Sequence, residues 1–289
     1  MAELTVLKMK ITAPTAHFRV IHSNNPRKTY PLPPYSTVIG LLANILGDKK
    51  QIDQMLAGEL ALGIVAKHQS ISHEYTWMRN MSKKAHNSRF YSTENRNWQE
   101  SLEHPGGQSP ITVEVLNDVE IYIYLYHSDL TVLEQLKENA FNPEKWINHI
   151  HLGRSEDWGM IEQVDIKDIV ISNSGSNFKD ASSYYQWMPE PQFAYGVGHH
   201  INSLEYSSLF KKMQGTILLV TSLYKIVEVS LEGTSPWKIR NFRHIPARLC
   251  SNQIPFLDNF TLPSLYTDLS LNTPIYMGLI NPVPQKGEC

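Results

Sequence analysis

Residues 73–98 combine basic and aromatic side chains in the sequence HEYTWMRNMSKKAHNSRFYSTENRNW. Cationic side chains neutralise phosphates and aromatic faces stack on unpaired bases, so this mixture is typical of a surface that binds single-stranded nucleic acid. The same mixture also suits a solvated loop whose aromatic side chains anchor it to its own core. Composition alone does not separate these two interpretations.

A second group of candidate binding residues precedes the first predicted helix. Its members are His17, Phe18, Arg19, Arg27, Lys28 and Tyr30. The N-terminus of the following helix would offer its amide groups to a phosphate in the same place. The alternative is a purely structural turn, fixed by the prolines of the YPLPP sequence at 30–34.

The histidines form no recognised catalytic or metal-binding pattern. His149 and His151 with Asp157, or the pair His199 and His200, could be taken for ligands, but neither set has a known zinc spacing. The YGVGHH sequence is not a phosphate-binding loop and is interpreted as a turn. GxSxG, HExxH and P-loop sequences are absent. We therefore expect no catalytic residues, no metal and no cofactor.

Charge is distributed unevenly along a chain whose net charge is only -2. Basic residues exceed acidic ones in the segments 1–47, 67–98 and 233–257, whereas acidic residues dominate 129–168. Such a distribution suits a protein that binds a polyanion with one face and another protein with a second face.

The general composition is that of a soluble globular protein. The 289 residues are 42% hydrophobic and 19% charged, which is enough for one or two compact domains. The N-terminus contains no apolar signal-peptide region, and no apolar run reaches the length of a membrane span. With Cys250 and Cys289 as the only cysteines, a disulfide framework is excluded. We expect a cytoplasmic protein in a reducing compartment, without membrane contact.

Hydrophobic periodicity predicts an α+β fold. Strands are expected at 4–11, ended by Pro14, at 60–67, at 119–126 and within 160–172. Helices are expected at 37–46, capped by Ser36 or Thr37 and ended by Gly47, and at 130–139, capped by Asp129. This order of elements is that of a ferredoxin-like domain, also called an RNA-recognition-motif fold.

Two further regions complete the predicted organisation. The stretch from about 70 to 112 is too long for an ordinary connection and is interpreted as an inserted functional loop or hairpin. Residues 174–289 are predicted to form a smaller β-rich domain after a first domain at 1–173, with short strands near 215–231, 236–250 and 272–280.

Two stretches taken together resemble the Cas-five family of CRISPR-associated proteins. They are FRVIHSNNPRKTYPLPPYSTVIGLLANILG at 18–47 and NPEKWINHIHLGRSEDWGMIEQV at 142–164, with an Phe-Arg pair, a Tyr-Pro-Leu-Pro-Pro turn and a later Leu-Gly-Arg-Ser-Glu-Asp. The resemblance is clear over about the first 170 residues and weaker afterwards, although LNTPIY at 271–276 is similar to the family's closing strand.

The resemblance implies a RAMP domain of the ferredoxin-like type, an inserted thumb and a non-catalytic role in a type I-B-like Cascade. Such a subunit binds the 5′ handle of the guide RNA (crRNA), contacts the backbone subunit and the large subunit, and works beside target DNA. The residues implied to bind RNA are Arg19, Arg27, Lys28 and Tyr30 near the handle, Arg79, Lys83, Lys84 and Arg89 in the thumb, and Arg154 in the Leu-Gly-Arg-Ser segment.

One alternative is a metal-independent endoribonuclease that processes precursor crRNA, as relatives in type I-C systems do with a Tyr, Lys and His set. Tyr30, Lys28, His17 and His22 are of the required types. Binding without catalysis is preferred because a chain with 14 tyrosines and 12 histidines supplies such sets by chance. A scaffold whose basic segments are only solvated faces is the third interpretation.

Overall fold

The computed structural model describes residues 3–79, 97–98, 101–102, 108–172, 184–230, 237–251 and 263–282. Its strands are β1 (Glu3–Ala16), β2 (Phe18–Arg19), β3 (Thr29–Tyr30), β4 (Leu60–Lys67), β5 (Ser70–Arg79), β6 (Asn97–Trp98), β7 (Ser101–Leu102), β8 (Gln108–His127), β9 (Met160–Ser172), β10 (Tyr185–Pro189), β11 (Ile217–Val229), β12 (Trp237–Ser251), β13 (Leu265–Asp268), β14 (Thr273–Pro274) and β15 (Gly278–Asn281). Its α-helices are α1 (Tyr35–Leu46), α2 (Lys49–Ala57), α3 (Leu130–Asn139) and α4 (Ser203–Lys212).

The centre of the molecule is a four-stranded antiparallel sheet in the order β4-β8-β1-β9. Along the chain, helix α1 lies between β1 and β4, and helix α3 lies between β8 and β9. This is the strand order of a ferredoxin-like βαββαβ unit, so the predicted α+β class is confirmed. The helices in the described ranges are all too short or too polar to cross a membrane.

The central sheet is buried on both faces. Alternate residues of β1, such as Met9 and Ile11, pack with α1 and α3 in one hydrophobic cluster. The intervening residues Leu4 and Val6 pack on the other face with side chains from the second half of the chain, including Tyr266. The two-residue alternation of a strand therefore supplies two separate cores.

Two predicted boundaries are wrong. Strand β1 continues through Pro14. Its pairing with β9 ends at Thr12, so that edge of β1 has no partner strand at Pro14. The N–H group that proline lacks is therefore not needed for a strand hydrogen bond there. Helix α1 begins at Tyr35 with Pro34 as its N-cap, and the hydroxyl of Ser36 instead lies 2.7 Å from that of Thr221.

Other local signals predict the structure well. Strand β4, helix α3 and strand β9 have the expected positions, and Asp129 accepts a hydrogen bond from the Thr131 amide as the N-cap of α3. Helix α1 ends at Gly47, whose φ of 72° and close approach to the Lys145 carbonyl leave no room for a side chain. Helices α2 and α4 were not predicted, although both begin at standard N-caps, Asp48 and Asn202.

The predicted insertion at 70–112 has two antiparallel strands at its base, which we call the thumb arms. They are β5 and residues 108–117 of β8, paired from Ser70 with Asn117 to Arg79 with Gln108. Strand β8 is therefore much longer than the predicted strand at 119–126, because one part pairs within the central sheet and the other part is a thumb arm. The residues Lys83, Lys84 and Arg89 lie outside the described residues.

The second half of the chain extends the same sheet. Strands β10, β12 and β11 continue it beyond β4, β15 also pairs with β4, and β13 pairs with β9 at the opposite edge. The strands predicted near 215–231 and 236–250 correspond to β11 and β12, while β10 and β13 were not predicted. The division into domains at 173/174 stays a prediction.

Candidate nucleic-acid interface

A basic groove of about 730 Å³ lies where the N-terminus of α1 meets the β2–β3 turn, the Leu-Gly-Arg-Ser loop and the β11–β12 hairpin. Among the residues that the structure describes, no aspartate or glutamate lines it. Its lining includes four arginines, together with aromatic and imidazole rings: Arg19, Arg27, Arg154, Arg240, His17, Tyr30 and Phe242. A concave surface of this charge concentrates the field that attracts an anionic ligand.

The turn between β2 and β3 is fixed against the base of the thumb. The backbone amide of Arg27 donates to the Thr112 carbonyl at 2.7 Å, and the Glu114 amide donates to the Arg27 carbonyl at 2.9 Å. The carboxylate of Glu114 also accepts from the Thr29 amide at 3.1 Å. These bonds set the position of Arg27 relative to strand β8.

The side chain of Arg27 has an unsatisfied donor. Its Nε is buried and has no hydrogen-bond partner among the described residues. Burial lowers the pKa of this guanidinium, and the positive charge of Arg19 lowers it further. A partly desolvated cation beside a second cation is stabilised when an anion binds between them.

The N-terminus of α1 provides a further anion-binding element. Pro34, Ser36 and Thr37 line the groove, the helix has no side-chain N-cap hydrogen bond, and its first turn contains no acidic residue. The positive end of the helix dipole is thus not neutralised by the protein's own side chains. Oxygen atoms of a phosphate suit this position.

His17 and Gly153 join the two segments that carry the family resemblance. The His17 amide donates to the Leu152 carbonyl at 3.1 Å, and a Cβ on Gly153, whose φ is 106°, would lie 1.9 Å from the His17 carbonyl oxygen. The His17 Nδ1 lies 2.7 Å from the Glu114 carbonyl, which can only accept, so Nδ1 carries the proton. Burial lowers the pKa of His17 and favours the neutral ring.

Arg154 lines the groove, but its guanidinium is already engaged by carboxylates. Its Nε and Nη2 donate to Asp157 at 2.8 and 2.7 Å, and its Nη1 donates to Glu74 of strand β5 at 2.6 Å. The side chain of Asp157 is fully buried and also accepts from Thr15 at 2.7 Å. Hydrogen bonding to Asp157 raises the pKa of Arg154. This residue therefore ties a thumb arm to the central domain.

The remaining predicted residues fall in different places. The ring of Tyr30 is half-buried and lies edge-on to Trp187 at 5.6 Å, and burial raises its pKa. Lys28 and His22 are exposed and are not among the groove-lining residues. Arg79 pairs through its backbone with Gln108 in the thumb arms.

Arg240 and Phe242 line the groove but are not among the residues predicted to bind RNA. The basic segment 233–257 was the available signal, but nothing in it indicated that β12 returns to the β2–β3 turn. The histidines singled out in the sequence have other surroundings: His149 lies 5.6 Å from His151 and 5.4 Å from Trp158 between ring centroids. In the parts of the chain that the structure describes, no three His, Cys, Asp or Glu residues are grouped to hold a metal.

Comparison with known proteins gives the class of this chain. The model of the family described as "CRISPR-associated protein (Cas_Cas5)" matches residues 6–202. Because this match spans more than half of the sequence, the chain belongs to the Cas5 family of CRISPR-associated proteins. The expected family membership is confirmed. A search of curated proteins finds no match.

Similar solved structures have low sequence identity. A chain of a "CRISPR RNA-guided surveillance complex" is 12% identical, with 90% of each chain covered and a TM-score of 0.43. A "CRISPR protein from Archaeoglobus fulgidus" is also 12% identical, with 96% of this chain and 93% of that chain covered and a TM-score of 0.36.

Proposed function

We propose that this Cas5-family protein is a non-catalytic, guide-RNA-binding subunit of a type I, I-B-like CRISPR surveillance complex. In this role it holds the 5′ handle of the crRNA and supports RNA-guided targeting of DNA. The observation that carries the proposal is the groove, whose described lining residues include four arginines and no carboxylate, and which ends at a helix N-terminus without a side-chain cap. Phosphates of a single strand suit such a groove.

The site residues divide by the contacts they already make. Arg19 and Arg27 have no ion pair among the described residues and are assigned to handle phosphates, with Lys28 and Tyr30 beside them. Arg154 is assigned to the same handle region, where it lines the groove while held by Asp157 and Glu74. The thumb residues Arg79, Lys83, Lys84 and Arg89 are assigned to RNA at the boundary with the neighbouring subunit.

The assembly follows from the same assignment. The thumb contacts the adjacent backbone subunit, and another face adjoins the large subunit next to target DNA. The acidic segment 129–168 offers a protein-binding surface of opposite charge to the groove. We propose no cofactor or metal for the subunit.

Binding of RNA is tested first with the purified chain and with the co-expressed complex. Sequencing of RNA that co-purifies after co-expression with a CRISPR array identifies the ligand, and handle-bearing crRNA is the expected result. In a fluorescence-anisotropy titration, affinity falls as salt rises, with a slope in log K of about -0.7 per phosphate contact. The absence of enriched short RNA in a complex that contains its partner subunits would contradict the proposal.

Variants of the groove locate the binding site. Arg19→Gln with Arg27→Gln removes two cations that support no protein ion pair, so we expect a weaker complex and a shallower salt slope. Lys50→Gln with Lys137→Gln is the matched control, because both lysines are exposed on helices and neither is among the groove-lining residues. Equal effects of the two changes would show that the charge of the whole chain, and not this groove, attracts RNA.

A second function, metal-independent cleavage of precursor crRNA, is favoured by one observation. His17 and Tyr30 line the same groove, and Nδ1 protonation leaves the Nε2 lone pair of neutral His17 available as a base. Lys28 is not among the lining residues, so the Tyr, Lys and His set is incomplete there. Incubation of precursor RNA with the protein in chelator separates binding from cleavage.

A further inference from the structure

The β11–β12 hairpin carries two aromatic rings and a cation on the face that borders the groove. Tyr224 pairs with Phe242 across the two strands, with ring centroids 5.4 Å apart. The Arg240 guanidinium lies 4.9 Å from the centroid of the Tyr224 ring. Phe242 and Arg240 are groove-lining residues, so the two rings continue directly from the basic groove.

A β-bulge places Tyr224 on this face. Thr221 pairs with His244 and Tyr224 pairs with Phe242, so β11 uses three residue steps where β12 uses two. Because directly opposed residues share a face of an antiparallel sheet, Thr221 and Tyr224 both lie on the groove side. In a strand that alternated regularly from Thr221, without the bulge, Tyr224 would lie on the opposite face.

The exposure and charge of these residues are unusual for a structural cluster. The side chain of Tyr224 is 46% exposed, and Phe242 is only half-buried. Arg240 forms no ion pair with a carboxylate of the described residues, and its charge is held over the aromatic ring instead. An exposed ring pair with an unpaired guanidinium at the end of a phosphate-binding groove has the composition of a base-stacking site.

We propose that Tyr224, Phe242 and Arg240 form a stacking platform for an unpaired base of single-stranded RNA. The backbone of the strand follows the arginines of the groove, and the next base leaves it to lie against the aromatic face of the hairpin. This proposal rests on the proposed RNA-binding function and adds to it a base-contacting element from the second half of the chain. Stacking requires no hydrogen bond to a base edge, so the platform accepts any base.

The test uses the full chain and a fluorescein-labelled, unstructured RNA of about ten nucleotides, compared with the same RNA carrying abasic sites. Tyr224→Leu and Phe242→Leu keep apolar bulk and remove the aromatic face. Each is expected to weaken binding of the base-containing RNA about fivefold or more and to reduce its advantage over the abasic RNA. The salt slope stays that of the unaltered protein, because no phosphate contact is lost.

Two controls keep the outcome clear. Ile226→Ala removes a 64% exposed apolar side chain from the same face and is expected to leave RNA binding unchanged. Phe242→Tyr retains a ring and is expected to bind like the unaltered protein, which separates lost stacking from a folding defect in Phe242→Leu. A titration of 2-aminopurine RNA adds a direct signal, since stacking on the platform quenches its fluorescence.

Different results would contradict the stacking platform and the proposed RNA-binding function. If Tyr224→Leu and Phe242→Leu bind RNA normally while Arg19→Gln with Arg27→Gln binds weakly, the platform is wrong and the groove assignment stands. If the unaltered protein binds neither RNA, the RNA-binding function itself is wrong and the platform falls with it. If Ile226→Ala and Tyr224→Leu both lose a co-purifying subunit without a change in RNA affinity, the face is a protein-docking surface and the platform is overturned.

Discussion

Replacing Arg154 tests whether this arginine is mainly a structural tie or a ligand contact. Arg154→Gln breaks a pair whose Asp157 side chain is fully buried, and it also removes the bond to Glu74 on the thumb arm. Removing one partner of a buried ion pair leaves an uncompensated charge and costs about 3–5 kcal/mol. Since Arg154 is 18% exposed and the Glu74 side is open to solvent, we expect a loss of about 3 kcal/mol in the free energy of unfolding.

The loss of Arg154 is also expected to reverse the direction in which the Asp157 carboxylate changes stability with pH. Burial alone would raise the pKa of Asp157, but its hydrogen bonds to Arg154 and Thr15 outweigh burial and lower the pKa below its ordinary value. In the unaltered protein the carboxylate therefore stabilises the fold above the pKa of the unfolded chain, and this contribution is lost as pH falls through the folded value. Without Arg154, burial dominates and raises the pKa of Asp157. The ionised carboxylate then destabilises the fold at neutral pH, and its protonation at lower pH removes this destabilisation.

Urea denaturation of the purified chain, followed by circular dichroism at several pH values, measures both effects. Arg154→Gln combined with Asp157→Asn is expected to recover part of the lost stability, because the second change removes the unpaired charge. Glu156→Gln is the matched control, since that carboxylate is 62% exposed and lies 3.5 Å from the guanidinium. Unchanged stability of Arg154→Gln together with reduced RNA affinity would refute the structural role and make this guanidinium a ligand contact.

Three other predictions test separate parts of the molecule. Lys83→Glu with Lys84→Glu is expected to change the unfolding free energy by no more than about 0.5 kcal/mol, as surface changes usually do, and to weaken complex assembly strongly; an intact, RNA-loaded complex on size-exclusion chromatography would reject the thumb assignment. Precursor RNA incubated with the protein in chelator is expected to stay uncut, and repeat-specific cleavage that disappears in His17→Ala or Tyr30→Phe would establish the nuclease instead. Gly153→Ala is expected to lower stability by about 2 kcal/mol or more, because a Cβ would lie 1.9 Å from a carbonyl oxygen at a φ of 106°; an unchanged melting temperature would disprove this backbone constraint.

Local signals were enough to predict the central ferredoxin-like unit. The alternation at 119–126 and the Asp129 cap each depend on neighbouring residues only. The cap has the expected position, and the alternating residues lie within β8, although that strand begins earlier, at Gln108. The start of α1 was misplaced for a physical reason. Ser36 is a good N-cap residue, but its hydroxyl bonds to Thr221, a residue 185 positions away that local reasoning does not include.

The two parts of the candidate site differ in how far sequence could predict them. Arg19 and Arg27 lie in one short segment, and the family resemblance indicated their region. Arg154 was placed in the Leu-Gly-Arg-Ser segment, but its ion pair to Glu74 was not predicted, because Glu74 lies 80 residues away on the thumb arm. The contribution of β12 depends on how the second half of the chain joins the sheet, which residue patterns within β12 do not specify.

The groove gives a chain of net charge -2 a local basic surface that suits the proposed polyanion. Lys10 and Lys67 are neutralised by Glu120 of β8, and Lys8 is neutralised by Asp268 of β13, with Lys8 and Asp268 nearly buried. These carboxylates are thus engaged within the fold, while the groove lining includes no carboxylate among the residues that the structure describes. Since a ligand responds to the local field and not to the sum over the chain, the distribution of charge decides binding here. The lysines of β1 and β4 are paired with carboxylates, whereas Arg19, Arg27 and Arg240 form no ion pair with a carboxylate of the described residues. This difference concentrates positive charge in the groove.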